Sequence, residues 1–469
     1  MQKKRFSPEE ISHVTIERLA EGNQAICRVG DKVIFVTQAV PGDIMDIAVT
    51  RQRKDYAEAH PIYLHQPGPS RQEPFCAHFG SCGGCQWQHV SYDRQLAEKT
   101  QQVIEKITRI AKIEKPPVAT IIPADQPTYY RNKLDYTFSN KRWLSEYEIA
   151  SGIAIDRRAI GFHKAGSFDK VIDIQHCYLQ NAPSNEIRLA IKAFAIKEGY
   201  SFYDINNQTG LLRNLIIRTA ETGQVMVIIQ FGATDELKID RLMAFIDEQF
   251  PQLDSLQYVI NTKLNDTFYD LPVHCYKGKP FIIEKIDELQ WQIGPNSFFQ
   301  TNTLQAAKLY QNIMELAQLQ GNELIFDLYA GVGTITHFLA KKARQVIGIE
   351  SVAGAVDDAK KNAKLNNLDN VSFLLGDMKD LFQEICNSTY GKPDVIVTDP
   401  PRAGMHPHVI KQLLNLGTEK IIYVSCNPAT QARDMYLLKE MYHLAHAQPI
   451  DMFPHTSHVE NVALLVKKR

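Results

Sequence analysis

The residues with the most chemical potential are Val424-Ser425-Cys426-Asn427-Pro428. The apolar run Ile421-Ile422-Tyr423-Val424 reads as a buried strand, and Asn-Pro ends it. Cys426 therefore falls where a strand gives way to a loop. In open α/β sheets ligands bind at that carboxyl edge, so a thiol there is placed to act as a nucleophile. A lone cysteine is more often simply a small buried hydrophobe, and the surrounding motifs argue against that plainer reading.

A second constellation is Cys76-Ala77-His78-Phe79-Gly80-Ser81-Cys82-Gly83-Gly84-Cys85, with spacing C-x5-C-x2-C. Its glycines let backbone wrap closely around a ligand. Eight cysteines in the whole chain are too few for a disulfide scaffold, and clustered ones point to a metal. Zinc and a [4Fe–4S] cluster both accept four cysteine ligands. The fourth is expected from Cys177, in Gln175-His176-Cys177-Tyr178, with Cys275 as the alternative. The spacing is not the C-x3-C-x2-C of radical enzymes, so no radical chemistry is inferred.

A third set consists of acids at the ends of successive apolar runs. Leu324-Ile325-Phe326-Asp327 leads into Leu328-Tyr329-Ala330-Gly331-Val332-Gly333, a strand, a Gly-rich turn and a helix start. Val346-Ile347-Gly348-Ile349 ends in Glu350, Val371-Ser372-Phe373-Leu374-Leu375 runs into Gly376-Asp377, and Val395-Ile396-Val397-Thr398 runs into Asp399-Pro400-Pro401-Arg402. A G-x-G alone fits dinucleotide folds as well. An acid such as Glu350 suits a ribose diol, and Asp377 suits an adenine amino group. A dehydrogenase would need neither Asp-Pro-Pro nor the later cysteine.

The elements that must hold these residues follow from the rest of the chain. At 469 residues, 44% of them hydrophobic, it should form two to four domains. No run of eighteen apolar residues suggests a membrane span, and the basic N-terminal start lacks the apolar core of a secretory signal, so the cytoplasm is expected. With 52 basic and 53 acidic residues the net charge is −1, which gives no global basic footprint; Arg51-Gln52-Arg53-Lys54 and Lys467-Lys468-Arg469 are local candidates for RNA contact.

Residues 1–66 carry short β-branched runs punctuated by Gly22, Gly30-Asp31 and Pro41-Gly42-Asp43, the pattern of a small OB-like β-barrel. Pro67-Gly68-Pro69-Ser70 reads as a linker. Leu96, Val103, Ile107 and Ile110 predict an amphipathic helix over 93–112. Residues 67–285 otherwise read as a mixed α+β region, with a strand pair turning at Glu221-Thr222-Gly223 and a helix over 185–199. From 286 to 469 strands and helices alternate, implying a parallel, Rossmann-like sheet.

Together these motifs resemble the S-adenosylmethionine-dependent RNA uracil-C5 methyltransferases. The resemblance covers most of the chain: Ser297-Phe298-Phe299-Gln300-Thr301-Asn302, the Asp327-to-Gly333 loop, Glu350, Asp377, Asp399-Pro400-Pro401-Arg402, Ser425-Cys426-Asn427-Pro428, and Asp451-Met452-Phe453-Pro454-His455-Thr456-Ser457-His458-Val459-Glu460. The N-terminal part is similar to a TRAM domain, an RNA-binding barrel. That feature and the cysteines resemble the branch acting on 23S rRNA. The resemblance implies an α/β multidomain fold: a TRAM barrel, a central iron–sulfur domain and a C-terminal class I methyltransferase domain. It implies that Gln300, Tyr329, Glu350, Asp377 and Asp399 contact S-adenosyl-L-methionine, that Cys426 is the nucleophile and Glu460 the base, and that Cys76, Cys82, Cys85 and Cys177 bind a [4Fe–4S] cluster. Thr334 stands where some members have Asn, and Tyr329 where Phe is common.

The residue types suit that chemistry independently. Uracil C5 is a poor nucleophile until a thiolate adds to C6, and a carboxylate must then remove the C5 proton. The base must leave its stack; Tyr130, Phe138, Phe298 and Phe299 are candidate stacking surfaces. A monomer acting on RNA is expected. The competing expectations are the same reaction on the tRNA T-loop, cytosine-C5 methylation, and a non-catalytic RNA-binding protein. An amino-methyltransferase would want Asn-Pro-Pro-Tyr or a relative of it in place of Asp-Pro-Pro-Arg.

Overall fold

The computed structural model describes residues 9–380 and 390–469; most of the basic N-terminal start, residues 1–8, falls outside them. Its strands form three main sheets. The first contains β1 (Glu10–Thr15), β2 (Arg18–Leu19), β3 (Gln24–Val29), β4 (Lys32–Thr37), β5 (Ile44–Gln52) and β6 (Tyr56–Gln66), in the order β1-β5-β6-β4-β3-β2. β1 also packs beside β3, so the sheet coils around its own core of Ile16, Cys27, Val36 and Ile47. Trp87 and Val90, from just beyond the cysteine run, complete that core with no exposed surface. The Pro-Gly stretch at 67–70 is not a free linker. Gly68 N–H donates to Asp43 Oδ1 at 2.8 Å, and a Cβ on Gly68 would lie 2.4 Å from the Pro41 carbonyl.

Helix α1 (Tyr92–Lys106) continues as one π turn over Ile107–Ala111 and stops at Lys112, which is left-handed. Its apolar stripe of Val103, Ile107 and Ala111 packs with Phe326, Tyr423 and Leu438. The helix thus lies on the C-terminal sheet, far along the chain from its own neighbours.

The second sheet is mixed, in the order β13-β12-β11-β10-β7-β8-β9. Its members are β7 (Lys133–Ser139), β8 (Ala159–His163), β9 (Val171–Asp173), β10 (Leu212–Thr219), β11 (Val225–Phe231), β12 (Ser255–Ile260) and β13 (Val273–Gly278). The expected strand pair is β10 with β11, and the expected helix spans Ser184–Lys197. A hairpin, β14 (Ile282–Ile286) with β15 (Leu289–Ile293), shares one core with Ile228 of the second sheet and Val424 of the third.

The third sheet contains β16 (Leu324–Leu328), β17 (Gln345–Glu350), β18 (Val371–Leu375), β19 (Val395–Thr398), β20 (Lys420–Ser425), β21 (Tyr442–Ile450) and β22 (Glu460–Lys467). Their order is β18-β17-β16-β19-β20-β22-β21. The first five pair in parallel. Their near-continuous apolar sequences suit strands covered on both faces. β22 inserts antiparallel between β20 and β21. This is a mixed α/β fold with a β-rich N-terminal part. Among the described residues, no helix is long and apolar enough to cross a membrane.

Candidate active site and cysteine centre

Cys426 lies one residue beyond β20, where the strand hands over to the helix Pro428–Leu438. Asn427 caps that helix, its side-chain oxygen accepting from Ala429 N–H at 3.1 Å, and Pro428 occupies the first turn. The β20–β22 register pairs Val424 with Val462 and Ser425 with Asn461. One step further sets position 426 beside Glu460, the first residue of β22. Gln431 locks the strand ends together: its Nε2 donates to the carbonyls of Tyr423 (2.8 Å) and Asn461 (3.0 Å), and its Oε1 accepts from Asn461 Nδ2 at 2.7 Å.

Glu460 is 5% exposed, and among the described residues no group donates a hydrogen bond to its carboxyl. Burial holds its pKa well above the carboxylate range; the negative charge of Asp399 adds to this, and Arg402 opposes it. Burial pushes Asp399, just beyond β19, up to about 7. The Cys426 thiol is pushed up to about 11, first by burial, then by the charges of Glu460 and Asp399, with Arg402 again opposing. Three acidic groups thus act on one another with the Arg402 guanidinium opposing, so their protons are coupled. Arg402 also meets His458 Nδ1 at 3.0 Å, while its carbonyl accepts from Asn427 Nδ2 and Thr430 Oγ1, both at 3.1 Å. Asp-Pro-Pro-Arg was legible as a motif, but its arginine's role as the positive charge of the site was not.

The acids expected at the other strand ends line the same carboxyl edge. Glu350 ends β17; its Oε2 accepts from Gly331 N–H at 2.9 Å, and its Oε1 accepts from Ser351 and Val352 N–H. Tyr329 takes a left-handed φ of 65° at the end of β16. Gly333 is left-handed too, and a Cβ there would meet Phe373 at 2.8 Å; at Gly331 a Cβ would meet nothing within 4 Å. The turn therefore packs tightly at one glycine and leaves space at the other, which suits a ligand held against Glu350. Asp377 is exposed and paired with Lys379 at 3.2 Å. Gln300 lies in the loop before helix Thr303–Ala317, its carbonyl accepting from Asn132 Nδ2 at 2.9 Å. Thr334 Oγ1 meets Tyr310 OH at 3.2 Å. Of the four candidate stacking aromatics, Tyr130, Phe138 and Phe299 are buried core residues, and Phe298 is 69% exposed.

The fold brings Cys76, Cys82, Cys85 and Cys177 together. Burial raises all four thiols, Cys82 to about 11 and Cys85 to about 12, and negative charge on the other cysteines raises Cys82, Cys85 and Cys177 further. Such thiols are poorly solvated as isolated thiolates, and a cation among them would offset that cost. Cys275 lies apart and exposed on β13, its sulfur near the carbonyls of Lys277 and Gly278. His13, Asp46 and His65 form a further close group on the N-terminal sheet. There Asp46 Oδ1 already accepts from His65 Nε2 at 2.8 Å and from His13 N–H at 2.9 Å, so an imidazole–carboxylate pair accounts for it.

The model of the tRNA (uracil-5-)-methyltransferase family matches residues 284–468. An RNA methyltransferase of Bacteroides thetaiotaomicron is 48% identical over 95% of this chain and 99% of its own. One from Porphyromonas gingivalis is 47% identical over 96% and 98%. Among solved structures, the tRNA (uracil-54, C5)-methyltransferase of Pyrococcus abyssi in complex with S-adenosyl-L-homocysteine is similar with a TM-score of 0.74. It is 29% identical, over 97% of this chain and 100% of that one.

Proposed function

Because the chain belongs to the RNA uracil-C5 methyltransferase family, we propose that it methylates C5 of a uracil in 23S rRNA, with Cys426 as nucleophile and Glu460 as base. It is an S-adenosylmethionine-dependent enzyme acting on RNA. The observation that carries the residue assignment is the antiparallel pairing of β20 with β22, whose register ends with Ser425 opposite Asn461, the immediate neighbours of Cys426 and Glu460.

The Cys426 sulfur bonds to uracil C6, and the C5–C6 electron pair moves toward O4, making C5 nucleophilic. The donor, which Gln300, Tyr329, Glu350, Asp377 and Asp399 would hold, would supply the methyl group to C5 as its methyl–sulfonium bond breaks and the electron pair stays on sulfur. Glu460 then takes the C5 proton. The C–H electron pair re-forms C5=C6 and expels the sulfur. A buried carboxyl with a raised pKa is a strong base once ionised, and among the described residues no hydrogen bond competes for its oxygen. Arg402 offsets negative charge as the thiol ionises. Phe298 is the exposed aromatic available to stack on a neighbouring base.

Cys76, Cys82, Cys85 and Cys177 would hold a [4Fe–4S] cluster. Four cysteine thiolates suit zinc as well as a [4Fe–4S] cluster, and the choice of the cluster rests on the resemblance to the family branch that carries one. The β-rich N-terminal part is read as a TRAM domain binding RNA, and the protein as a cytoplasmic monomer.

A tRNA T-loop uracil is the second reading, favoured by the likeness to the Pyrococcus abyssi enzyme along the whole of that chain. The test is the Glu460→Gln protein with methyl-labelled donor and either 23S rRNA fragments or tRNA. A slow-migrating RNA–protein adduct, lost in Glu460→Gln/Cys426→Ala, is the expected result, and the RNA that forms it names the substrate. Methyl transfer retained by Cys426→Ala would overturn the mechanism.

A further inference from the structure

The loop before Glu460 is gripped by residues from the opposite end of the chain. Lys99 Nζ donates to Asp451 Oδ1 at 2.5 Å and to the Phe453 carbonyl at 3.0 Å. Tyr130 OH donates to the Pro454 carbonyl at 3.1 Å. Gln95 Oε1 accepts from His455 N–H at 2.9 Å. His455 itself is left-handed, φ 62°, a conformation that persists only where its surroundings impose it.

The closest grip comes from the residue that follows Cys85. Gln86 N–H and Trp87 N–H both donate to the His455 carbonyl, at 2.7 and 3.0 Å. Gln86 Oε1 accepts from Ser457 N–H at 3.2 Å and from Ser457 Oγ at 3.0 Å. Ser457 Oγ accepts in turn from Gly22 N–H at 3.1 Å, and the Gly22 carbonyl accepts from Trp87 Nε1 at 2.9 Å. The barrel turn, the cysteine loop and the strand-to-strand loop thus close on one point, three residues before Glu460. The segment that follows Cys177 is linked to the same loop: Tyr129 and Arg131 N–H donate to the carbonyls of Tyr178 and Leu179 at 2.7 Å each, and the Arg131 guanidinium lies 5.4 Å from the Phe453 ring centre.

Building on the assignment of Glu460 as base, we propose that Gln86 is a positioning residue: through Ser457 it fixes the register of the loop that aims the Glu460 carboxyl at the C5 proton. Among the described residues nothing hydrogen-bonds the Glu460 carboxyl to orient it, so its aim depends on the backbone that carries it. A displacement of about 1 Å at such a group costs on the order of a hundredfold in rate. The cysteine site anchors this grip because Cys85 is covalently next to Gln86.

The test uses the full-length, metal-loaded protein with methyl-labelled donor and the RNA that traps best with Glu460→Gln. In Gln86→Ala, kcat falls by about ten- to a hundredfold with KM for the donor unchanged, and the covalent RNA adduct accumulates because proton removal lags behind methyl transfer. Gln86→Glu, which keeps acceptor oxygens for Ser457, restores turnover and clears the adduct. Ser457→Ala, which leaves the cysteine loop's own sequence intact and removes one of the two bonds to Gln86 Oε1, gives a smaller loss that is not additive with Gln86→Ala; iron content of each variant is measured alongside. If Gln86→Ala keeps its iron, turns over normally and accumulates no adduct while Glu460→Gln traps, the positioning role is overturned and the assignment of the base stands. If Glu460→Gln forms no adduct and Cys426→Ala still methylates, both fall.

Discussion

Lys99 and Asp451, 352 positions apart, form an ion pair at 2.5 Å with neither side chain exposed. Tyr92 OH donates to the other Asp451 oxygen at 2.8 Å. The pair pins helix α1 to the loop between β21 and β22. Burial lowers the Lys99 pKa, and Asp451 opposes that shift. Replacing Lys99 by Met leaves a buried carboxylate without its cation, a change that costs about 3–5 kcal/mol. Lys99→Met should lower the unfolding free energy by about that amount, read from urea titrations, and Lys99→Met/Asp451→Leu should recover most of it. A single variant as stable as the parent would show that the pair does not hold the loop.

The coupling of Cys426 to its acids can be read without turnover. Asp399 raises both the Cys426 and the Glu460 pKa. Asp399→Asn should therefore shift the pH midpoint of Cys426 alkylation, followed by mass spectrometry of the Cys426 peptide, below that of the parent protein. An unmoved or higher midpoint would remove Asp399 from the thiol's electrostatics.

Glu284 offers a stability test outside the active site. Its carboxyl accepts from the Glu221 and Lys285 N–H groups and from Thr303 Oγ1, yet burial pushes it up to about 7 from an ordinary 4.5. An acid with a raised folded pKa contributes stability that is full below the unfolded pKa and is lost as pH climbs through the folded one. The window is about pH 4.5 to 7, and the loss is about 3 kcal/mol at 1.36 kcal/mol per pKa unit. Glu284→Gln stays neutral and keeps the acceptor oxygen. Its stability should fall less than the parent's between pH 5 and 8.5 in urea titrations; equal losses would contradict the assignment.

The cysteine centre makes an analytical prediction. Protein purified without oxygen should carry about four irons and four acid-labile sulfides per chain. Cys82→Ser or Cys177→Ser should lose them, and Cys275→Ser should not. Stoichiometric zinc in place of iron would overturn the cluster.

Much of the site was readable from sequence because its parts are local. The apolar runs at 324–328, 346–349, 395–398 and 421–424 became β16, β17, β19 and β20, and chemistry-bearing residues stand at or just beyond their carboxyl ends, since a parallel sheet puts every such end on one edge. The cysteine spacing marked three candidate ligands for the same reason. Cys177 and Cys275 could not be separated by spacing, because neither is local to the other three. The stacking candidates were equally undecidable: alternation within a short run cannot tell whether Phe298 or Phe299 faces the core.

By itself, then, the sequence determined the family of the chain and the strand ends on which several of the candidate residues sit. Only the tertiary structure decided how they meet. The antiparallel insertion of β22 beside β20 sets Glu460 next to Cys426, and the grip of Gln86, Gln95 and Lys99 on the loop at 451–457 ties the N-terminal part of the chain to it. Both depend on contacts across hundreds of residues, where the choice of partner rests on the packing of the whole core and leaves no periodicity in the local sequence to read.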